Sequence, residues 1–351
     1  MAGADGMEVS DLARQPSRLQ YIAVLRAMAM LVVVAFHTYG YMYASHFPQS
    51  REGYNAIYYT ANQCVFINVA MPLFTAIAGF LFAWLHQQGR YQDYWQMIRK
   101  KALRLLLPFA VFGTLMMATT GVPFQPWMLY RGSISHLWYL TALFWCFAVG
   151  GITQRHLARS RRCACRWWRV FFLLLFANSL ADHIPALLGV QYLLRQYEWF
   201  LLGQLLAACH NPVFGFIGTW HLGIPLMLPF AILSWFFPDP YEPECWHTRV
   251  MVAGFLIGLF PLTELICAKC PEKALRPFEW LGKFTFGIYI FHNWIGPYMI
   301  SRTAKRLLPL EQLALDHVVL FPFLLTATII VVSFALTWLM MKNRFGKMLM
   351  E

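Results

Sequence analysis

Arg26 and His37 are ionisable residues within the first apolar run of the chain, Tyr21 to Tyr39. An ionisable side chain inside a lipid bilayer costs roughly 2.5–3.5 kcal/mol on insertion scales, so such residues usually mark a functional site. Imidazole exchanges a proton near neutral pH, and guanidinium presents a planar fork of donors that suits phosphate or carboxylate groups. The pair therefore predicts either a proton relay or a ligand pocket.

The spacing of the two residues places them on one face of a helix. Eleven positions are about three helical turns, so the side chains return to within roughly 20° of the same direction, roughly 16 Å apart along the axis. Two plainer interpretations stay open. Arg26 could snorkel to the cytoplasmic interface, and His37 could lie at the outer interface or be satisfied by a neighbouring helix.

A basic cluster precedes the third apolar run, and it consists of Arg99, Lys100, Lys101 and Arg104. Such residues either set the membrane topology or bind an anionic ligand, and both interpretations can hold together. Arg104 is the best single candidate for a ligand contact because it projects deepest toward the membrane, one turn before Pro108.

The later apolar runs and their connections contain three sets of candidate site residues. The first is His136, Trp138 and Tyr139; the second is Asp182, Arg195 and Glu198; and the third is Tyr289 and His292. By default the first group belongs to an interfacial aromatic belt. In the second, Arg195 and Glu198 can pair at i,i+3, and the group either stabilises a hairpin or forms a polar wall for a substrate. In the ninth apolar run Gly282 and Gly287 favour close helix packing, beside the polar groups of the third set.

The composition is that of a polytopic membrane protein, because 59% of the 351 residues are hydrophobic and only 13% are charged. The net charge of +12 does not indicate nucleic-acid binding. Charge is confined to short segments between apolar runs, where Lys and Arg mark the cytoplasmic side. The pairs Cys163-x-Cys165 and Cys267-x-x-Cys270 are interpreted as free thiols, so we expect no metal site.

These patterns predict an all-α membrane protein with about ten transmembrane helices and both termini in the cytoplasm. The cytoplasmic amino-terminal segment is residues 1–20, the transmembrane domain is 21–341, and the cytoplasmic tail is 342–351. The predicted spans lie near 21–43, 63–86, 103–120, 136–153, 168–188, 192–210, 215–236, 248–267, 281–300 and 317–341.

Taken in order, five segments resemble membrane acyltransferase family 3. They are the Arg26 and His37 pair, MPLFTAIAGFLF (Met71 to Phe82), RKKALRLLLP (Arg99 to Pro108), HLWYL (His136 to Leu140) and GKFTFGIYIFH (Gly282 to His292). The resemblance extends from about Arg18 to Trp294, although residues 155–275 match by hydropathy rather than by motif. Members of this family are integral membrane proteins that O-acylate exported or lipid-linked glycans with cytoplasmic acyl-CoA.

The resemblance implies a catalytic role for His37 and an important one for Arg26. His37 could act as the base that takes the proton of a sugar hydroxyl, or it could carry the acyl group covalently. The basic cluster would receive the CoA nucleotide. Trp138 and Tyr139 would stack on or hydrogen-bond to the sugar, and His292 is a secondary candidate.

We therefore expect an O-acyltransferase of a bacterial inner membrane, most simply an O-acetyltransferase, with acyl-CoA as donor and no permanently bound cofactor. Its expected partners are a glycan or lipid-linked saccharide, membrane lipid and polysaccharide-assembly proteins, with no nucleic acid. A transporter of a polysaccharide precursor or small metabolite is the main alternative, because transporters also carry ionisable residues on membrane helices. A structural subunit of an export assembly is a further one.

Overall fold

The computed structural model describes residues 17–38, 66–120, 125–159, 161–177, 183–185, 187–210, 214, 217, 220–236, 245–296, 309–317 and 320–350. This part of the chain is helical and contains no strand. The predicted all-α class is therefore confirmed over the residues described.

Thirteen α-helices occur in these ranges, and a 3₁₀ turn at Ser135–Leu137 precedes the fifth. The helices are α1 Ser17–His37, α2 Ile67–Gln87, α3 Tyr94–Thr120, α4 Pro126–Arg131, α5 Trp138–Leu157, α6 Arg161–Ala177, α7 Gln191–Ala208, α8 Trp220–Phe236, α9 Trp246–Lys269, α10 Glu272–Trp294, α11 Leu310–Asp316, α12 Leu320–Met340 and α13 Arg344–Met350.

Six helical stretches of the described chain are long and apolar enough to cross a membrane. They are Gln20–His37, Asn68–Gln87, Tyr94–Thr119, Pro126–Leu157, Trp246–Lys269 and Leu320–Met340. The count of ten spans and the cytoplasmic location of both termini stay predictions. Helices α7 and α10 are not among the six, although both pack closely against membrane-compatible helices.

Helix α7 is the most deeply buried helix of the described chain, and every residue from Gln196 to Ala207 is buried. It packs most extensively against α2 and also contacts α5, α6 and α9. At the α2 contact a Cβ on Gly203 would overlap the carbonyl oxygen of Ala76, and one on Gly79 would overlap that of Phe200. Glycine therefore allows the two backbones to approach each other directly.

Helix α1 packs against α2 and α10, and α10 in turn packs against α12. The buried face of α1 includes Leu25, Met30, Val33 and Val34. This arrangement holds the face that carries Arg26 and His37 against neighbouring helices.

The basic cluster lies inside a helix rather than in the connection before one. The predicted third span began at residue 103, whereas α3 begins at Tyr94. Lys and Arg are good helix formers, and their long stems cover apolar surface while the charged ends reach outward, so the helix continues through the cluster. Likewise α6 extends over Arg161–Ala177 rather than beginning near 168.

Candidate active site

Three histidines from three different elements lie next to one another. His37 is the last residue of α1, His136 is in the 3₁₀ turn before α5, and His292 lies in the last turn of α10. The ring centroids of His37 and His292 are 4.9 Å apart, those of His136 and His292 5.0 Å, and those of His37 and His136 6.2 Å. The sequence assigned these residues to separate motifs, and the fold brings them into one cluster.

His136 uses both ring nitrogens within the protein. Its Nε2 lies 3.0 Å from the carbonyl oxygen of Ile290, so Nε2 carries the proton and donates it to that oxygen. Its Nδ1 then accepts from the Asn293 side-chain amide at 3.2 Å. The hydroxyl of Tyr289 donates to the main-chain oxygen of His136. His136 is therefore a structural link between the turn and α10.

His292 has one engaged and one unengaged nitrogen. Its Nδ1 lies 2.6 Å from the carbonyl oxygen of Tyr289 and 3.2 Å from that of Ile288, so Nδ1 carries the proton. In neutral imidazole the lone pair is then on Nε2. This atom is buried and has no hydrogen-bond partner within the described part of the chain. His292 can therefore accept a proton next to His37.

A cavity of about 290 Å³ opens beside His37 and is called here the histidine cavity. Its lining combines aromatic, amide and cationic side chains, which suits a polar ligand that also offers an apolar face. The lining residues are Val33, Phe36, His37, Asn68, Ala70, Met71, Pro72, His136, Trp138, Arg195, Gln196, Trp199, Thr248, Arg249, Val252 and Tyr289.

A buried ion pair lies in the wall of the histidine cavity. Arg249 of α9 pairs with Glu198 of α7, which is fully buried, and also donates to the carbonyl oxygen of Arg195 at 2.9 Å. The sequence predicted that Arg195 could pair with Glu198, whereas in the structure Glu198 pairs with Arg249. Arg249 was not among the predicted site residues, although a lone arginine in an apolar helix is the same signal that identified Arg26.

A second cavity of about 310 Å³, called here the cationic cavity, is lined by Arg26, Lys101 and Arg104. The ammonium of Lys101 lies 3.7 Å from the ring centroid of Phe147. No acidic side chain of the described residues lines this cavity, and most of its wall is apolar. Cations in an apolar wall without a carboxylate favour an anionic ligand. Arg99 and Lys100, on the same helix, are exposed and do not line it.

Tyr289 lines both cavities. Tyr139 lines the cationic cavity, and its hydroxyl lies 3.2 Å from that of Thr75, which in turn lies 2.9 Å from the amide oxygen of Gln196 in the wall of the histidine cavity. Helix α1 contributes Arg26 to one cavity and His37 to the other. The two predicted residues on one stripe thus belong to two adjacent sites.

The other predicted site residues are distributed as follows. Trp138 lines the histidine cavity and packs against Tyr192 with ring centroids 4.7 Å apart. Arg195 lines the same cavity. Glu198 does not line it but pairs with Arg249, which does. Asp182 lies outside the described residues.

Comparison with known proteins identifies one matching family. The sequence model of the acyltransferase domain of acyltransferase family 3 matches residues 19–342, which is nearly the whole chain. No curated protein and no solved structure matches the chain.

Proposed function

The chain belongs to acyltransferase family 3 and is a membrane acyltransferase, and we propose that it transfers an acyl group from acyl-CoA to a hydroxyl of a glycan. The observation that carries this proposal is the pair of adjacent cavities. One is lined by cations and, among the described residues, by no acidic side chain; the other contains His37, and the two share Tyr289.

The cationic cavity suits the donor. CoA carries several phosphate charges at one end and a long, largely uncharged pantetheine arm ending in the thioester. Arg26, Lys101 and Arg104 can bind the phosphates through charge-assisted hydrogen bonds, and the apolar wall accommodates the arm. Because guanidinium binds two phosphate oxygens at once, Arg26 and Arg104 also orient the donor.

The histidine cavity suits a saccharide acceptor. Aromatic side chains such as Trp138 and Trp199 can stack on the apolar face of a sugar ring, while Asn68, Gln196 and Arg195 offer hydrogen bonds to its hydroxyls. We assign the acceptor to an exopolysaccharide, an O-antigen or a lipid-linked precursor, and the setting to a bacterial inner membrane. Polysaccharide-assembly proteins would be its partners there.

His37 performs the chemistry by one of two routes. In the direct route it removes the proton of the acceptor hydroxyl, the oxygen attacks the thioester carbonyl, the carbon–sulfur bond breaks, and the thiolate of CoA takes the proton. In the two-step route an unprotonated nitrogen of His37 attacks the thioester carbonyl, the carbon–sulfur bond breaks, and the thiolate of CoA takes the proton of the other ring nitrogen. The acceptor oxygen then attacks the acyl-imidazole, the carbon–nitrogen bond breaks, and the imidazole takes the hydroxyl proton. The acyl group in either route is most simply acetyl.

The test is a reconstituted reaction. Purified protein in lipid nanodiscs is mixed with acetyl-CoA and a lipid-linked saccharide, and free CoA and acylated saccharide are both measured. We expect CoA release that depends on the saccharide and is lost in a correctly inserted His37→Ala variant. A transporter would bind or move the saccharide without releasing CoA, and wild-type turnover by His37→Ala would remove His37 from the mechanism.

A further inference from the structure

Two tyrosines are in contact where the cationic and histidine cavities meet: Tyr289 lines both cavities, and Tyr139 lines the cationic one. The rings of Tyr139 and Tyr289 have centroids 5.8 Å apart and an interplanar angle of 64°, and both side chains are buried. Aromatic rings at this separation are in edge-to-face contact. We call this pair the tyrosine partition.

Hydrogen bonds at the hydroxyl groups hold both tyrosine rings in position. Tyr289 donates to the main-chain oxygen of His136. For the other ring, the Thr75 hydroxyl lies 3.2 Å from the Tyr139 hydroxyl and 2.9 Å from the amide oxygen of Gln196, both within hydrogen-bond distance. The partition is thus tied to the 3₁₀ turn, α2 and α7.

We propose that the acyl group reaches His37 through the tyrosine partition, and that the partition restricts the enzyme to short acyl groups. This inference rests on the proposed function, because it takes the donor to bind in the cationic cavity. His37 lines only the histidine cavity, whereas Arg26, Lys101 and Arg104 line only the cationic one. Tyr289 lines both cavities and packs against Tyr139, so a thioester held by those cations would move past this ring pair to meet His37.

The restriction follows from how the rings are held. A two-carbon acyl group passes when one ring turns and its hydrogen bond is replaced briefly. A chain with several more methylenes keeps the rings apart for as long as the donor is bound, so the hydrogen bonds of Tyr139 or Tyr289 stay broken. Donors with long acyl chains should therefore react more slowly once bound.

Tyr139 is the better residue for a test. Tyr289 bonds directly to the main chain of His136, so a change there would also move the histidine cluster. Tyr139 bonds to Thr75, which in turn bonds to Gln196, and neither residue is part of that cluster. Its replacement opens the partition and leaves the histidines in place.

Tyr197 offers a matched control. It too is a buried tyrosine that is hydrogen-bonded to a threonine, Thr153, but it lines neither cavity. Tyr197→Ala removes the same number of atoms from the helical core as Tyr139→Ala. It should lower stability without changing the preference for acyl length.

The experiment measures kcat/KM for acetyl-, butyryl- and hexanoyl-CoA with a lipid-linked saccharide acceptor. We expect the hexanoyl-to-acetyl ratio to rise about tenfold or more in Tyr139→Ala, the lower end of discrimination by a shaped pocket, and to stay at the wild-type value in Tyr197→Ala. Tyr139→Leu, which fills more of the space, should fall between the two and serves where the alanine variant does not fold.

The outcomes separate the two proposals. If the wild type uses hexanoyl-CoA as well as acetyl-CoA, or if folded Tyr139 variants keep the wild-type ratio, the partition does not select the acyl group. If the wild type releases no CoA from any donor in the presence of acceptor, the proposed glycan acylation is wrong, and the role of the partition is overturned with it.

Discussion

The imidazole rings of His37 and His292 lie 4.9 Å apart, and Nε2 of His292 is a buried acceptor without a hydrogen-bond partner in the described part of the chain. Its Nδ1 faces the carbonyl oxygens of the preceding turn of α10. The lone pair on Nε2 is thus directed away from its own helix. His292 is therefore positioned to accept a proton beside His37, and under the proposed mechanism that would be the proton of the acceptor hydroxyl.

Replacing His292 should slow catalysis more than it weakens binding. In His292→Phe, which keeps a buried ring but removes the acceptor, we expect kcat to fall about 100-fold, the usual lower range for losing acid–base assistance. The KM for acyl-CoA should stay near its wild-type value because His292 lines neither cavity. Steady-state kinetics with varied donor measure both quantities.

His136 provides the comparison for that experiment, because both of its nitrogens are already bonded to α10. His136→Phe should lower the unfolding temperature in detergent more than His292→Phe does, since it removes two buried hydrogen bonds that join the turn before α5 to Ile290 and Asn293 of α10. If the two variants lose the same amount of unfolding temperature and the same factor in kcat, His292 does not share a proton with His37.

Donor affinity should depend on which residues of the basic cluster face the cationic cavity. Arg104→Gln and Lys101→Gln should each raise the KM for acyl-CoA about 10-fold or more, because a hydrogen bond between charged groups contributes about 1.5–3 kcal/mol. Arg99→Gln should change it less than about threefold, since Arg99 does not line the cavity. Titration with acyl-CoA at two salt concentrations measures this difference. A larger effect at Arg99 would contradict donor binding in this cavity.

Arg26 and His37 could be identified as candidate site residues from the sequence because the signal, an ionisable residue in an apolar run, is local. An ionisable residue in an apolar run is costly wherever the run ends up, so Arg26 and His37 could be identified without a fold. The match over residues 19–342 confirms the family resemblance, which rested on those two residues and the later motifs. Arg104, the preferred candidate of the basic cluster, lines the cavity; that Lys101 lines it as well could not be predicted, because most of the cluster was placed before the third span rather than inside a helix.

Helix α7, Gln191–Ala208, covers the span predicted near 192–210, but its deep burial could not be predicted from hydropathy. Gln196, Glu198 and Gln204 are buried, yet they make its sequence too polar to pass as a span by composition. A helix enclosed by other helices satisfies such groups through its neighbours, as Glu198 does with Arg249 of α9 and Gln204 with the carbonyl oxygen of Gly150 at 2.9 Å. Long-range pairings of this kind depend on helix order and cannot be read from one segment.

The buried pair Glu198 and Arg249 should couple strongly in stability measurements. Glu198→Gln or Arg249→Gln alone leaves one buried charge uncompensated and should destabilise the protein by about 3–5 kcal/mol, whereas the double variant should recover much of that loss. The exposed pair Glu272 and Arg276 on α10 is the reference, and its removal should cost about 0.3–0.5 kcal/mol. Thermal unfolding in detergent of the full double-mutant cycle gives the coupling. Additive losses at Glu198 and Arg249 would show that the two charges do not depend on each other.

Substitution of Gly203, at the contact between α2 and α7, should lower stability more than substitution of Gly282 in α10. In Gly203→Ala the new Cβ would overlap the carbonyl oxygen of Ala76, and backbone atoms cannot turn aside as side chains do. We expect a loss of about 1–3 kcal/mol or more, together with displacement of Gln196 and Arg195 on the same helix and therefore reduced turnover. In Gly282→Ala the nearest contact would be the Ala23 carbonyl oxygen at 3.6 Å, an ordinary packing distance, so stability and activity should change little. Equal unfolding temperatures for the two variants would show that α2 and α7 do not approach as closely as the fold requires.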